Sequence, residues 1–206
     1  APEVCAALGN SIKIGLLATI FSTILGTMIA FAIGRYAFKG RSSSNLLIFL
    51  PMATPEIVLG ASLLSLFLVF HINPGFWPTV IAHVMFCISF VVVTVKARIA
   101  SLDPRLEQAA MDLYANELET FRKVTLPLVA PGIAGAALLA FSLSFDDFII
   151  TNFNSGTLKT FPEFVYTSAA RGIPAQANVI GSAMFFLALI IVIAGQFVGK
   201  KVKVAK

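Results

Sequence analysis

The chain predicts an all-α polytopic membrane protein, with five transmembrane helices and a polar helix set between two of them. Three observations carry that expectation. Of 206 residues, 58% are hydrophobic and 12% charged, about half the roughly 25% charged share of a soluble domain, and the mean hydropathy is +0.90. Uncharged stretches reach the roughly 20 residues that a bilayer core demands. Ile14–Gly34, Val124–Phe145 and Gly172–Gly199 hold no charge, Ser42–Phe70 holds only Glu56, and Ile72–Val95 holds none beyond His83. One charge-bearing segment between such runs, residues 104–122, nevertheless keeps apolar residues at helical spacing.

Spans are therefore expected at about 12–34, 45–70, 78–98, 128–151 and 178–199. An odd number puts the two ends of the chain on opposite sides. Twelve of the fifteen Lys and Arg, from Arg35 through Arg98 and Arg122 to Lys206, fall on one set of connections, and only Lys13, Lys159 and Arg171 on the other. The basic side is cytoplasmic by the positive-inside rule, so the start is expected outside and the C-terminus inside. The formal net charge of +5 then belongs to membrane ends facing anionic headgroups and needs no nucleic acid. No basic stretch and cleavage site precedes a span, so no signal peptide is expected.

The first span carries Ser22, Gly26, Ala30 and Gly34 at every fourth residue. The fourth carries Gly132, Ala136, Ala140 and Ser144 in the same way. Small residues let helices approach closely in lipid, so a tightly packed bundle is expected, although such residues also abound in membrane helices generally. The second span contains Pro51 and Pro55, which are expected to bracket a turn. Glu56 follows, eleven residues from the start of the span and therefore roughly 16 Å deep, near mid-bilayer. A carboxylate at that depth either marks a transport path or, protonated, staples helices. Asp146 and Asp147 end the fourth span. Successive helical residues diverge by about 100°, so one is expected to face a path while the other caps or pairs, and the sequence leaves open which. His71 and His83 stand apart from any second ligand, which fits packing or interfacial roles rather than a metal. Cys5 and Cys87 lie at different depths and are not expected to pair.

Between the third and fourth spans, Asp103-Pro104 supplies a side-chain cap and a first-turn proline. Leu106, Ala110, Leu113, Leu118 and Phe121 recur on one face of the expected helix 104–122, with Glu107, Asp112, Glu117 and Glu119 largely between them. Tyr114 is expected in ordinary helical geometry, since a bulky residue loses about 1–2 kcal/mol in the left-handed region. Such a helix can simply lie on headgroups or can seat a partner.

The residues themselves bear on that choice. Gln108-Ala109-Ala110, three residues, Tyr114, nine residues, then Val124-Thr125-Leu126-Pro127 resemble the cytoplasmic loop signature of permease subunits from binding-protein-dependent ABC importers. That signature reads Glu-Ala-Ala, three residues, Gly, nine residues, an aliphatic, any residue, Leu-Pro. Gln108 stands for its Glu, with Glu107 just before, and Tyr114 for its Gly. Pro55-Glu-Ile-Val58, Phe90–Val95, Ser144–Gly156 and Phe161–Tyr166 with Arg171-Gly-Ile resemble spermidine/putrescine-type permeases, and the likeness runs over essentially the whole chain.

The resemblance implies a single permease domain over 1–206 whose loop, about 99–127, carries a coupling helix. Glu107, Gln108, Ala109, Ala110, Asp112, Tyr114, Leu126 and Pro127 are then the candidate ATPase-coupling residues. It implies as partners an ATPase subunit dimer, a second homologous permease and an extracytoplasmic solute-binding protein, in a bacterial cytoplasmic membrane. Such permeases have six spans and start inside, so the first span is expected to be absent from this chain. Polyamines are linear cations, for which Glu56, Asp146 and Asp147 are the candidate pathway acids, with Glu163 a further acid. Phe76, Trp77 and Tyr166 could meet cations or form headgroup belts. No G-x-x-x-x-G-K-[ST] loop occurs, so no cofactor is expected here and ATP belongs to the partner. No catalytic constellation or metal site is visible. Rival readings are an ABC permease for another small solute, a proton-coupled secondary transporter using Glu56, and an anchoring subunit without a path.

Overall fold

The computed structural model describes residues 2–169, 172, 175, 177–186, 189 and 190. Among them every regular element is helical: α1 (Pro2–Arg35), α2 (Arg41–Ala53), α3 (Glu56–Val69), α4 (Phe76–Ala100), α5 (Arg105–Asp112), α6 (Glu117–Thr120), a π turn (Phe121–Thr125), α7 (Leu126–Asp146), α8 (Ile149–Asn154) and α9 (Phe161–Ala169). A shorter apolar helix, α10, follows at Ala177–Phe186. Among the described residues three helices are long and apolar enough to cross a membrane: Pro2–Arg35, Phe76–Ala100 and the run Glu117–Asp146. The pair α2 and α3, bent by 106°, makes a fourth if taken as one crossing. Of the fifth expected span, 178–199, residues 178–186, 189 and 190 are described and the rest lie outside the described residues.

Helix α4 is the axis of the bundle. Its buried residues, Ala82, Phe86, Cys87, Val91, Val92, Val95 and Ile99 among them, make half of a core completed by Ala30, Leu63, Phe67, Val129, Ala136, Ala140 and Ile150 from four other helices. The two small-residue stripes both pack on it. A Cβ on Gly26 would lie 2.7 Å from Val91 Cγ1, and one on Gly34 would lie 3.6 Å from Ile99 Cγ2. From α7, Ala140 accepts the Cys87 thiol hydrogen at 3.5 Å, and Gly132 makes room for the stem of Arg98, which would stand 2.5 Å from an added Cβ. Without the bulk of side chains, backbones approach and dispersion contacts multiply, which is what holds helices together where lipid removes the hydrophobic drive.

These contacts also give direction. Gly26 lies beside Val91 and Gly34 beside Ile99, so α1 and α4 run parallel. Against α7 the order reverses, Cys87 meeting Ala140 and Arg98 meeting Leu128. A parallel α1 and α4 require the chain between them to return along the length of the bundle, so the bent α2–α3 pair acts as a broken crossing. The break falls at Thr54 and Pro55, both extended (ψ 131° and 134°). The ring of Pro55 pushes the preceding residue out of the helical region. Pro51 does not bracket the turn as expected but sits inside α2. The depth of Glu56 reckoned along one straight helix no longer applies.

At about 1.5 Å per residue α1 is about 50 Å long, well beyond the roughly 30 Å hydrocarbon layer. Its first turns pack outside the main core, Val4 and Ala7 against Phe164 and Ala177, while Asn10 donates to Lys159 O at 2.9 Å and Ser11 Oγ accepts from Phe161 N at 2.8 Å. Glu163, the further acid of the sequence, is buried there in α9.

Adding one methyl group tests the close contact of α1 with α4. Gly26→Ala forces Val91 to move and should destabilise the purified chain by about 1–3 kcal/mol through overpacking. Gly9→Ala, which meets nothing within 4 Å, should be neutral or slightly stabilising because alanine is the better helix former. Thermal unfolding in detergent reads both.

Candidate functional site

Two sets of residues stand out from the bundle, one at each kind of helix break. The first lies where α7 stops. Asp147 leaves the helix with ψ 125°, and its carboxylate turns back to cap α8, accepting from Ile150 N at 3.2 Å, Thr151 N at 2.9 Å and Thr151 Oγ1 at 3.1 Å. His83 of α4 lies behind it. Its Nδ1 is 2.7 Å from Ser144 Oγ, and its Nε2 is 2.9 Å from Thr151 Oγ1 and 3.4 Å from Asp147 Oδ2. With the ring proton on Nε2, Ser144 donates to Nδ1 and Thr151 accepts from Nε2, so each ring nitrogen is used once and the Thr151 hydroxyl accepts from His83 while donating to Asp147. The expected packing role of His83 therefore takes a specific form: it joins α4, α7 and α8 through buried hydrogen bonds.

Asp147 is buried and Asp146, next to it, is exposed. Of the two acids it is Asp147 that caps. Glu56 begins α3 and is also exposed, within electrostatic reach of both aspartates. Helix α3 reaches that place by packing on α8, where a Cβ on Gly60 would stand 3.0 Å from Phe153 and Asn154 Nδ2 donates to Gly60 O at 3.3 Å. The break in the second crossing and the break after α7 are thus brought side by side. Tyr166 stacks on Phe148 at 4.2 Å between ring centres, which places one of the three candidate aromatics at this break. Phe76 and Trp77 pair with each other at 5.4 Å.

The second set lies in the loop at the opposite end. Asp103 Oδ1 accepts from Arg105 N at 2.9 Å and α5 starts there, as the Asp-Pro pair suggested. The expected single helix 104–122 is broken, however. Tyr114 has φ 66°, the left-handed conformation, which overturns the expectation of ordinary helical geometry. The reason is a C-terminal cap. Ala115 N donates to Ala110 O at 3.1 Å and Tyr114 N to Met111 O at 2.9 Å, the paired bonds of a Schellman motif that satisfy carbonyls α5 would leave open. His71, φ 56°, ends α3 by the same pair of bonds, from Ile72 N to Phe67 O and from His71 N to Leu68 O. The loop then restarts at Asn116, whose side chain accepts from Glu119 N while Glu119 reaches back to Asn116 N, a capping box.

The break changes which side of the loop is wet. Leu113, Tyr114 and Leu118 are 81%, 98% and 73% exposed, so apolar surface lies at the tip. Glu107 turns inward instead, paired through both carboxylate oxygens with Arg35 of α1 and accepting from Thr125 Oγ1. The guanidinium, with help from Thr125, holds the Glu107 carboxyl below its ordinary range. A carboxyl shifted down contributes stability above its unfolded pKa and loses it only as pH falls through the lowered value, so the pair is intact across neutral pH. Gln108, Ala109 and Asp112 are exposed and Ala110 half-buried. At the end of the motif, Leu126 is half-buried and Pro127 exposed. They follow the π turn, where Leu126 N donates to Phe121 O. Such widening precedes a proline that cannot donate to the ladder and crowds the carbonyl of Lys123.

With both breaks and the loop described, comparison with known proteins decides the family. Residues 12–203 match the family of binding-protein-dependent transport system inner membrane components. The chain belongs to that family. It is a multi-pass inner-membrane permease subunit, and the secondary-transporter reading of Glu56 is set aside. Over 193 residues the permease is 35% identical to the spermidine/putrescine transport system permease protein PotC of Haemophilus influenzae, covering 93% of this chain and 75% of that one. It is 37% identical to the putrescine transport system permease protein PotI of Escherichia coli K12 over 186 residues, 86% of this chain and 66% of that one. Among solved structures, the MetNI methionine ABC transporter in an inward-facing conformation superposes with a TM-score of 0.72 at 15% identity, over 96% of this chain and 93% of that one. At that identity the match speaks to fold.

The left-handed tyrosine gives a direct test. Tyr114→Gly keeps the two backbone bonds of the cap and removes the conformational cost, so it should stabilise the loop by about 1–2 kcal/mol. Amide hydrogen exchange across α5 and α6 should slow in this variant, whereas Tyr114→Val should speed it.

Proposed function

We propose that this permease conducts linear polyamines, spermidine or putrescine, inward across the cytoplasmic membrane. Glu56 and Asp146 act as its pathway acids, and a separate ATPase drives it from the loop about 99–127. The observation that carries the substrate is the 35% identity over 93% of the chain to a permease named for spermidine and putrescine. The chemistry of the breaks supports it. A polycation crossing a low-dielectric region needs compensating charge, and intramembrane carboxylates that face a cavity or water commonly mark such routes. Two exposed acids at adjoining helix breaks provide such charge. Asp147 is spent on its cap and on the joint with His83, so its place in this scheme is to hold the break in shape.

The exposed leucines and Tyr114 at the loop tip support the seat for an ATPase, since such apolar surface marks sites of association. The basic ends of α1 and α4 lie at that same end of the bundle, which supports a cytoplasmic loop and an outside start. A solute-binding protein then delivers solute from outside and a second homologous permease completes the path, the whole of 1–206 acting as one permease domain.

Uptake of radiolabelled spermidine and putrescine by the complex reconstituted with its ATPase and binding protein tests this reading. Glu56→Gln and Asp146→Asn should each lower uptake about tenfold, or about 1.4 kcal/mol in the barrier, with normal expression. Asp147→Asn should instead lower the yield of folded protein. Parent-like uptake in both Glu56→Gln and Asp146→Asn would remove the acids from the path. For the seat, Leu113→Arg should release the ATPase from the purified complex while membrane insertion stays normal.

A further inference from the structure

We propose that Arg35 is a positioning residue that clamps the end of α1 to the loop through Glu107, so that a displacement of the loop carries α1 and α7 as one body. The inference rests on the reading of the loop as the ATPase seat. Three contacts build the clamp. Both nitrogens of the Arg35 fork meet both oxygens of Glu107, and the same carboxylate takes the hydroxyl hydrogen of Thr125. One helical turn before Arg35, Phe31 packs edge-on against Phe121, with ring centres 5.2 Å apart at 75°. The Arg35 guanidinium lies 6.0 Å from the Phe31 ring centre.

Phe121 and Thr125 are the first and last residues of the π turn, and Thr125 is buried. That turn is the weak point of the continuous run from Glu117 to Asp146, because a π bulge interrupts the regular ladder and is where long helices bend. A load applied to the loop tip would bend the run there and be lost before reaching α7. Glu107 spans the weak point by holding Thr125 from α5, and Arg35 extends the hold to α1. The partly exposed pair adds little static stability. Its use lies in direction, since a two-point fork fixes the relative orientation of its partners as a single ammonium charge cannot.

The test uses the complete complex of permease, ATPase and binding protein, with Arg35→Ala, Arg35→Lys, Glu107→Gln and the exchange Arg35→Glu with Glu107→Arg. Arg35→Ala should retain the ATPase and its basal hydrolysis while uptake per ATP hydrolysed falls about tenfold, and Glu107→Gln should lower uptake per ATP hydrolysed to the same extent. Arg35→Lys should recover part of that loss and the exchange most of it. Parent-like uptake per ATP in either Arg35→Ala or Glu107→Gln overturns the clamp. So does an exchange variant no better than its two single changes. If Glu107→Gln fails to insert, the exchange decides: recovery of insertion and uptake supports the clamp, and no recovery overturns it. Failure of the seat is read separately, as a Leu113→Arg complex that keeps its ATPase and its uptake.

Discussion

A helix that breaks inside an apolar bundle frees backbone groups that no water can satisfy, and the arrangement of this permease follows from how each break finds its partners. At the end of α7 the answer is a side chain. The Asp147 carboxylate takes the amides of Ile150 and Thr151 in α8, and His83 of α4 bridges Ser144 of α7 and Thr151 of α8. Between α2 and α3 the answer is local. Thr54 returns both its amide and its hydroxyl hydrogen to Leu50 O, and Pro55 has no donor to satisfy while its carbonyl takes Val58 N and Leu59 N. Because α3 then packs on α8, the two solutions adjoin, and the acids left outside them are Glu56 and Asp146.

The loop at the other end obeys the same accounting under easier conditions. It can reach solvent, so left-handed geometry at Tyr114 is tolerated in return for two backbone bonds, and a capping box restarts the helix one residue after the cap closes. The result is a rigid corner rather than a long interfacial rod. Its apolar tip points away from the bundle, and its one inward acid is engaged with α1.

How legible this was depended on the range of the signal. The stripes Ser22 to Gly34 and Gly132 to Ser144 were readable because small residues at every fourth position leave a pattern within one helix. The proline break was visible but misplaced, since Pro51 lies inside α2, while Pro55 acts through the residue before it. Tyr114 was misread because the cost of positive φ was weighed without the Schellman bonds that offset it. That Asp147 rather than Asp146 caps was not readable, because Ser144, Thr151 and His83 meet only after three helices pack. The inward turn of Glu107 depends on Arg35, at the far end of another span, and no local pattern announces such a partner.

The parallel run of α1 and α4 has a consequence for assembly at the ribosome. Helix α1 is complete before its chief partner is made, for α2 and α3 intervene in the chain, so its Gly26 face must meet lipid or another protein while it waits. Helix α4 in turn enters the bilayer carrying His83 before Ser144, Asp147 and Thr151 have been synthesised. A polar side chain in hydrocarbon without partners is costly, so the order of synthesis places a transient burden on α4 that ends only when α7 and α8 arrive. Insertion of this chain is thus coupled to the completion of its fourth long segment, and truncation just before α7 leaves a histidine in the membrane that the finished protein hides.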